Sequence, residues 1–362
     1  MNVQKRNWDL IKKRWEAWWA CDYYDRPVIQ ISAPKIPASP AVDPKEIEER
    51  GKNPRIKFGD IDYVIKATKF IIENTYFGGE TLTYCNAGWA VGQAAFCGCE
   101  PVFTDDSIWV HPIPGGTEDK YPEYKFDREN YWWKWLNEFQ KKAMAENDGQ
   151  YMLLPHLGNP TFDALVQVRG ATEFLCDLGG NKPLVKEHMK KMGGYMREMY
   201  KDQLELISRD KSVEGYINPY RAWSPGTMLG LEADSAVFIS PEDYKEIIVP
   251  DLIEIMGMVD YNMYHIDGPL YLKFIDILLD LPELKAIQWL PGHGAAGLPH
   301  WIPLIQKIQA KKKPVLIYGS PDQIIDALKL KEIKPEGLAV NTGAASEDEA
   351  DRFAEKLEKM YR

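Results

Sequence analysis

The sequence of 362 residues contains no run of about 18 apolar residues, the length that a membrane-spanning helix requires. Residues 1–19 also lack the apolar core of a signal peptide, so we expect a cytoplasmic protein. Basic residues are not in excess: the net charge of −10 argues against a surface for nucleic acid. The five cysteines are typical of free thiols in a reducing compartment rather than of a disulfide framework.

Eight short segments with the composition of β-strands recur along the chain, and each ends in a turn or a polar residue. They span residues 27–32, 81–86, 151–156, 213–218, 262–267, 286–291, 314–319 and 337–342. Amphipathic helical patterns lie between most of them, and Ser240 and Ser346 each precede acidic residues, as at a helix N-terminus. This alternation predicts an α/β protein with a parallel sheet, and eight strands are the number that closes a (β/α)8 barrel, or TIM barrel. We therefore predict a single barrel domain over residues 1–362, with the last four segments as adjacent parallel strands.

A long segment at residues 87–150 separates the second predicted strand from the third and is rich in Trp, Gly and Pro. It is interpreted as an insertion in the barrel, either a lid or partner surface, or simply a packed loop. A loop that follows a barrel strand emerges at the C-terminal mouth of the barrel. We therefore predict that residues 87–135 lie over the mouth and that Trp89 or Trp109 lines the pocket there.

Polar side chains gather at the carboxyl ends of the predicted strands, where a barrel holds its active site. The candidates for binding a small-molecule substrate are His156, Asn159, Tyr220, Arg221, Trp289 and His293. Arg221 is the best placed of them to meet an anionic substrate. His293 lies in a glycine-rich turn of the kind that offers backbone N–H groups to an anion.

His265 and Asp267, in the segment Tyr-His-Ile-Asp-Gly-Pro, are the strongest candidates for catalysis and for metal binding. The strand must end after Asp267, because Gly268 relaxes the backbone and Pro269 has no N–H to donate to a ladder. Residues two apart on a strand point to the same face, so His265 and Asp267 can chelate one metal ion.

Other polar groups should lie next to these two side chains, because burying a carboxylate without a hydrogen-bond or ionic partner is costly in free energy. We predict that His265 and Asp267 share one pocket with at least one of Asp234, His293 or His156. We also predict that Asp267→Ala abolishes activity and leaves the fold intact.

Several segments, taken in order, resemble one known family. They span residues 15–32, 168–192, 232–255, 264–269, 286–294 and 341–350. Together they resemble the uroporphyrinogen decarboxylase superfamily over nearly the whole chain, in an uncharacterised branch related to the corrinoid and zinc methyltransferases. The resemblance implies a TIM barrel and places Asp234 near the active site.

The resemblance implies two chemistries: decarboxylation of uroporphyrinogen without a cofactor, or zinc-dependent methyl transfer involving a corrinoid protein. The arginine-rich signature of the decarboxylases is missing, since residues 26–40 offer only Arg26 and Lys35. The methyltransferases use His-x-Cys and a later Cys as zinc ligands. Here His265 matches the histidine, Asp267 replaces the first cysteine and residues 341–346 contain none. His265 and Asp267 still form a metal pair, with nitrogen and oxygen donors.

We therefore expect a metal-assisted methyltransferase that uses zinc or another divalent metal, with the corrinoid carried on a partner protein. Its catalytic candidates are Asp267, His265 and Asp234.

Two alternatives remain open. One is a metal-independent decarboxylase or lyase, with Asp267 or Asp234 as acid or base and Arg221 holding a substrate carboxylate. The other is a non-catalytic barrel that binds a small molecule. We expect no nucleic-acid or membrane partner, and a homodimer is considered for the assembly.

Overall fold

The computed structural model describes residues 7–35, 41–89, 91–155 and 161–361. The strands are β1 (Val28–Pro34), β2 (Thr75–Gly79), β3 (Tyr84–Cys85), β4 (Glu100–Phe103), β5 (Ile108–His111), β6 (Met152–Leu153), β7 (Tyr216–Ile217), β8 (Trp223–Ser224), β9 (Met228–Leu231), β10 (Tyr261–Asp267), β11 (Ala286–Leu290), β12 (Val315–Tyr318) and β13 (Leu338–Gly343).

The α-helices are α1 (Trp8–Trp19), α2 (Pro44–Gly51), α3 (Pro54–Gly59), α4 (Ile61–Glu73), α5 (Gly92–Phe96), α6 (Tyr131–Ala145), α7 (Thr161–Arg169), α8 (Ala171–Gly180), α9 (Lys182–Ile207), α10 (Pro241–Asp243), α11 (Val249–Met256), α12 (Ile275–Leu279), α13 (Leu298–Ala310), α14 (Pro321–Lys329) and α15 (Glu347–Tyr361). Two 3-10 helices span Asp234–Phe238 and Pro269–Phe274, and a π-helix spans Tyr244–Ile248. Ser240 and Ser346 accept hydrogen bonds from backbone N–H groups at the starts of α10 and α15, as the sequence predicts. No helix within the described ranges is long and apolar enough to span a membrane.

Seven strands form one mostly parallel sheet in the order β2–β1–β13–β12–β11–β10–β9. Only β2, at one edge, is antiparallel to its neighbour. A separate parallel pair joins β3 to β6, and β4–β5 and β7–β8 are antiparallel hairpins. The molecule is therefore an α/β protein built on a parallel sheet.

The eight predicted segments each contain a strand, and the prediction that the last four are adjacent and parallel is confirmed by the ladders β10–β11–β12–β13. The ladders in the described part of the chain do not show a closed barrel. Next to β1, side chains replace part of the ladder: Ile29 N–H donates to Glu80 Oε2 and Ile31 N–H donates to Thr81 Oγ1. Closure of the barrel therefore stays a prediction.

The parallel strands bury both faces, and side-chain alternation separates two apolar layers. One face packs against the helices through residues such as Ile29, Ile266, Ile287, Ile317 and Val340. The other face forms a second cluster with α1, made of Val28, Met263, Ala286, Leu316 and Ala339 together with Trp15 and Trp18. Because α1 covers this second face with two buried tryptophans, polar groups on the same face are confined to the carboxyl ends of the strands.

Candidate functional site

A row of polar side chains lies two residues beyond the apolar layer that packs on α1, on the same face of the sheet. Its members are Gln30, His265, Gln288, Tyr318 and Asn341. The strand register aligns them, since His265 is opposite Gln288 and Asn341 is opposite both Tyr318 and Gln30. The change from apolar to polar along five neighbouring strands marks the carboxyl end of the sheet as the candidate site.

His265 is held in one orientation by a short hydrogen-bonded chain. Its Nδ1 contacts Gln288 Oε1, and Gln288 Nε2 donates to the Tyr318 hydroxyl over 2.8 Å. Because the amide oxygen can only accept, Nδ1 carries the proton in the neutral ring, and that tautomer leaves the lone pair on Nε2. Metal-binding histidines are commonly oriented in this way, with the second nitrogen bonded to a carbonyl oxygen. The ring also stacks on Tyr220, with centroids 5.0 Å apart and planes at 18°.

Two carboxylates complete a compact cluster with His265. Glu232 and Asp234 follow β9, the strand next to β10, and the ligand atoms of Glu232, Asp234 and His265 all lie within 4.8 Å of one another. Tyr220 donates from its hydroxyl to Glu232 Oε2 over 3.0 Å, so it contacts both the imidazole and one carboxylate. One imidazole and two carboxylates form a set of donors suited to a divalent cation.

Asp163, a buried residue of α7, fixes the backbone that carries Asp234. Its carboxylate accepts from Asp234 N at 2.9 Å and from Ser235 N at 2.8 Å, at the start of the 3-10 helix. Burial raises the pKa of Asp163 to about 6, although the hydrogen bonds from Ser235 and Asp234 oppose that shift. This contact holds Asp234 in place without Asp163 entering the cluster.

The electrostatics of the cluster disfavour two ionised carboxyl groups. Burial, followed by the charge of Asp234, raises the pKa of Glu232 to about 8, while the hydrogen bond from Tyr220 opposes the shift. Burial and the charge of Asp267 also raise the pKa of Asp234, against the effect of His265. The Asp234 side chain is exposed and that of Glu232 is partly buried, so burial acts more strongly on Glu232. A cation at this point would relieve the repulsion.

Asp267 lies at the exposed end of β10, next to this cluster. Its charge raises the pKa of both Glu232 and Asp234, so the three carboxyl groups influence one another. The compact cluster contains Glu232, which is a weaker candidate than its neighbour Asp234 by sequence and is not among the predicted pocket partners, rather than Asp267. The assignment of His265 and Asp267 as a metal-binding pair therefore stays a prediction, while Asp234 is the predicted acid that lies beside His265.

The predicted substrate-binding residues lie at different places relative to the cluster around His265. Tyr220 lies in the cluster, as described above. Trp289 is on the opposite face of β11, buried against Trp301 of α13 with ring centroids 4.9 Å apart, so the structure does not bring it to His265. His293 is exposed in the turn after β11. His156 and Asn159 lie outside the described residues.

The predicted insertion contains α5, β4, β5 and α6. Trp89 is buried among the rings of Trp132, Trp135 and Phe103, and its Nε1 donates to Phe58 O over 2.7 Å. It therefore packs in an apolar core, whereas Trp109 on β5 is 62% exposed. That the segment covers the mouth stays a prediction.

The sequence offered a signal for the amide residues that our interpretation missed. Gln30 and Gln288 each interrupt an apolar strand and are 1% exposed. A glutamine buried within a strand must find hydrogen-bond partners, so its presence indicates a polar interior. Asp163 carried no such signal, because nothing in its helix relates it to residues 71 and 72 positions later.

Replacing Gln288 with leucine should weaken binding of zinc about 10- to 100-fold, because His265 Nδ1 would lose the acceptor that orients the ring. Gln288→Glu is the matched control, since a carboxylate keeps the acceptor and should preserve the affinity. Isothermal titration of zinc into the metal-free proteins measures both effects. Equal affinities for the leucine and glutamate variants would contradict this role of Gln288.

The stability of the metal-free protein should depend on pH through Glu232. The folded state holds its proton up to a pH of about 8, whereas the unfolded chain loses it near 4.5, so the free energy of unfolding falls between these values as the pH rises. We expect this fall in the free energy of unfolding to be about 2–4 kcal/mol after allowing for solvent screening, and Glu232→Gln should abolish it. Urea unfolding at pH 5 and pH 8 measures it, with the exposed Glu332→Gln as control. The same pH dependence in Glu232→Gln and in the original protein would contradict the prediction.

The comparisons with known proteins concern the fold. No family model matches the chain, and no curated protein matches its sequence. Among solved structures, the chain is similar to a methyltransferase from Methanosarcina mazei, with a TM-score of 0.61 and 12% sequence identity. The alignment covers 98% of this chain and 99% of that chain. Likeness at this level of identity shows a shared fold over the full length. The resemblance to the uroporphyrinogen decarboxylase superfamily is not confirmed by these comparisons.

Proposed function

We propose that the protein is a metal-dependent methyltransferase with a (β/α)8 barrel fold, which moves a methyl group between a corrinoid on a partner protein and a small acceptor. The observation that carries the proposal is the cluster of Glu232, Asp234 and His265 at the carboxyl end of the sheet. The full-length likeness to a methyltransferase from Methanosarcina mazei supports the same reaction class.

The residues of the cluster fit a divalent cation such as zinc. Three protein ligands that leave a coordination position open are typical of catalytic zinc sites. His265 presents Nε2 with its lone pair, because Gln288 accepts from Nδ1. Glu232 and Asp234 supply oxygen donors whose mutual repulsion a cation would offset.

A bound divalent cation would supply Lewis acidity that favours the deprotonated form of an acceptor thiol or hydroxyl. The protein residues around it have separate tasks. Tyr220 forms a wall against His265 and holds Glu232 through its hydroxyl. Asp267, exposed beside the cluster, can take the proton that the acceptor loses. A corrinoid on the partner protein would supply the methyl group: the deprotonated acceptor would bond to the methyl carbon, and the electron pair of the broken cobalt–carbon bond would stay on the corrinoid.

Free methylcobalamin can replace the partner protein in a direct test. We expect the purified protein to bind zinc and, under anaerobic conditions, to transfer the methyl group of methylcobalamin to a small thiol. The visible spectrum follows loss of the cobalt–carbon bond, and mass spectrometry identifies the methylated thiol. Chelation followed by zinc addition should remove and restore the activity. A zinc-loaded protein that methylates none of a panel of thiols and alcohols would contradict the proposal.

A second candidate function is a metal-independent decarboxylase or lyase. It is favoured by the pKa of about 8 for Glu232, which keeps a proton available at neutral pH beside Tyr220. Such a group can protonate the carbon from which a carboxylate leaves. Release of carbon dioxide from a small carboxylate, unchanged by exhaustive chelation, would favour this function over methyl transfer.

A further inference from the structure

Arg221 has a backbone conformation that the surrounding turn holds in place. Its φ of +62° lies in the left-handed region, which a non-glycine residue adopts at an energetic cost. The buried Asn218 stabilises it: the side-chain oxygen accepts from Tyr220 N and Ala222 N, both at 3.1 Å, and the backbone oxygen accepts from Arg221 N at 2.9 Å. The turn after β7 thus fixes the direction in which Arg221 leaves the backbone.

The guanidinium of Arg221 is held by aromatic rings and a carbonyl group instead of an acid. It lies 5.2 Å from the ring centre of Phe77 and 5.1 Å from that of Tyr84, and Nη1 donates to Leu82 O over 2.9 Å. Within the described residues, Nε and Nη2 have no acceptor, and the guanidinium forms no ion pair. The three arginines that are buried in the described part of the chain behave differently, because each binds a carboxylate: Arg14, Arg26 and Arg169.

The position of Arg221 relates it to the candidate site. The preceding residue, Tyr220, contacts His265 and Glu232. Burial raises the pKa of the Tyr318 hydroxyl, which accepts from Gln288, and Arg221 is close enough to oppose that rise slightly. A half-buried cation, whose Nε–Nη2 edge has no acceptor among the described residues, therefore lies near the polar row that holds His265.

We propose that Arg221 binds the carboxylate of an anionic substrate whose other end reacts at the cluster of Glu232, Asp234 and His265. A carboxylate matches the two parallel N–H groups of a guanidinium edge, and the fixed turn and flanking rings reduce the entropy lost on binding. The aromatic rings provide an apolar wall beside the charge. The proposal deepens the proposed function, on which the identity of the reacting end rests, by naming the substrate class as small acceptors that carry a carboxylate.

Two thiols of similar size test this assignment: 3-mercaptopropionate, which is anionic, and 3-mercaptopropanol, which is uncharged. With methylcobalamin as donor, Arg221→Gln should raise the KM for the anionic thiol about 10- to 100-fold more than the KM for the uncharged one. Arg221→Lys should recover part of the difference, because it keeps the charge and loses the fork geometry. Zinc content and the thermal midpoint report whether each variant is folded. An equal rise in both KM values would overturn the proposal.

A measurement of direct ligand binding tests the anion site at Arg221 independently of the proposed methyl transfer. Isothermal titration of 3-mercaptopropionate and of propionate requires no turnover. Binding of both that is at least about 10-fold weaker in Arg221→Gln supports the anion site, even in a protein that transfers no methyl group. Absence of binding, or equal affinity in the two proteins, overturns it.

Discussion

Replacing His265 with alanine should abolish zinc binding and lower the rate of methyl transfer by at least about 10³-fold, which corresponds to about 4 kcal/mol of transition-state stabilisation. The imidazole is the only nitrogen donor of the cluster in the described structure, and its loss leaves two mutually repelling carboxyl groups. The side chain is 9% exposed and bonds to Gln288, so some loss of stability is also expected.

Metal analysis after dialysis and the methylcobalamin assay measure the two effects. His111→Ala is a matched control, because His111 is an exposed histidine of β5. Circular dichroism should show that both variants are folded. A His265→Ala protein that retains zinc with undiminished affinity would exclude the cluster as the metal site.

Replacing Glu80 with alanine should lower the free energy of unfolding by about 3–5 kcal/mol, because it removes the buried carboxylate that binds both Arg14 and Arg26. Glu80 is 1% exposed and accepts from Arg26 at 2.7 and 2.9 Å, from Arg14 at 2.7 Å and from Ile29 N at 2.8 Å. Burial alone would raise the pKa of Glu80, but the two arginines keep it below its ordinary value. The network joins α1 and β1 to the segment after β2.

Asp25→Ala tests the same network at its rim. Asp25 binds Arg14, but its side chain is 41% exposed, so its loss should cost only about 1 kcal/mol. Denaturant unfolding of the two variants gives the comparison. If Glu80→Ala destabilised the protein no more than Asp25→Ala does, the buried network would not have the importance assigned to it.

The network also explains a residue that the sequence left without a role. Arg26 belongs to the segment compared with the arginine-rich signature of the decarboxylases. The structure places it 2% exposed against Glu80, 54 positions away, where it cannot meet a substrate. Such a pairing has no local signal, because it depends on how the turn after β2 returns to β1.

The sequence by itself determined the parallel order of β10 to β13, since the apolar segments, their terminating residues and the intervening helices are local patterns. It also placed His265 and Asp267 at the end of a strand, because Gly268 and Pro269 end the ladder directly after them. The resemblance placed Asp234 near the active site, but only the tertiary structure decided which of the candidate groups lie beside His265 and that Glu232 is one of them. Glu232 and Asp234 reach it because β9, a strand that the apolar pattern did not reveal, lies next to β10. The orientation of its ring depends on Gln288, which is opposite His265 only through the register of β10 with β11. These contacts join residues 23 to 33 positions apart, and no periodicity in the sequence specifies them.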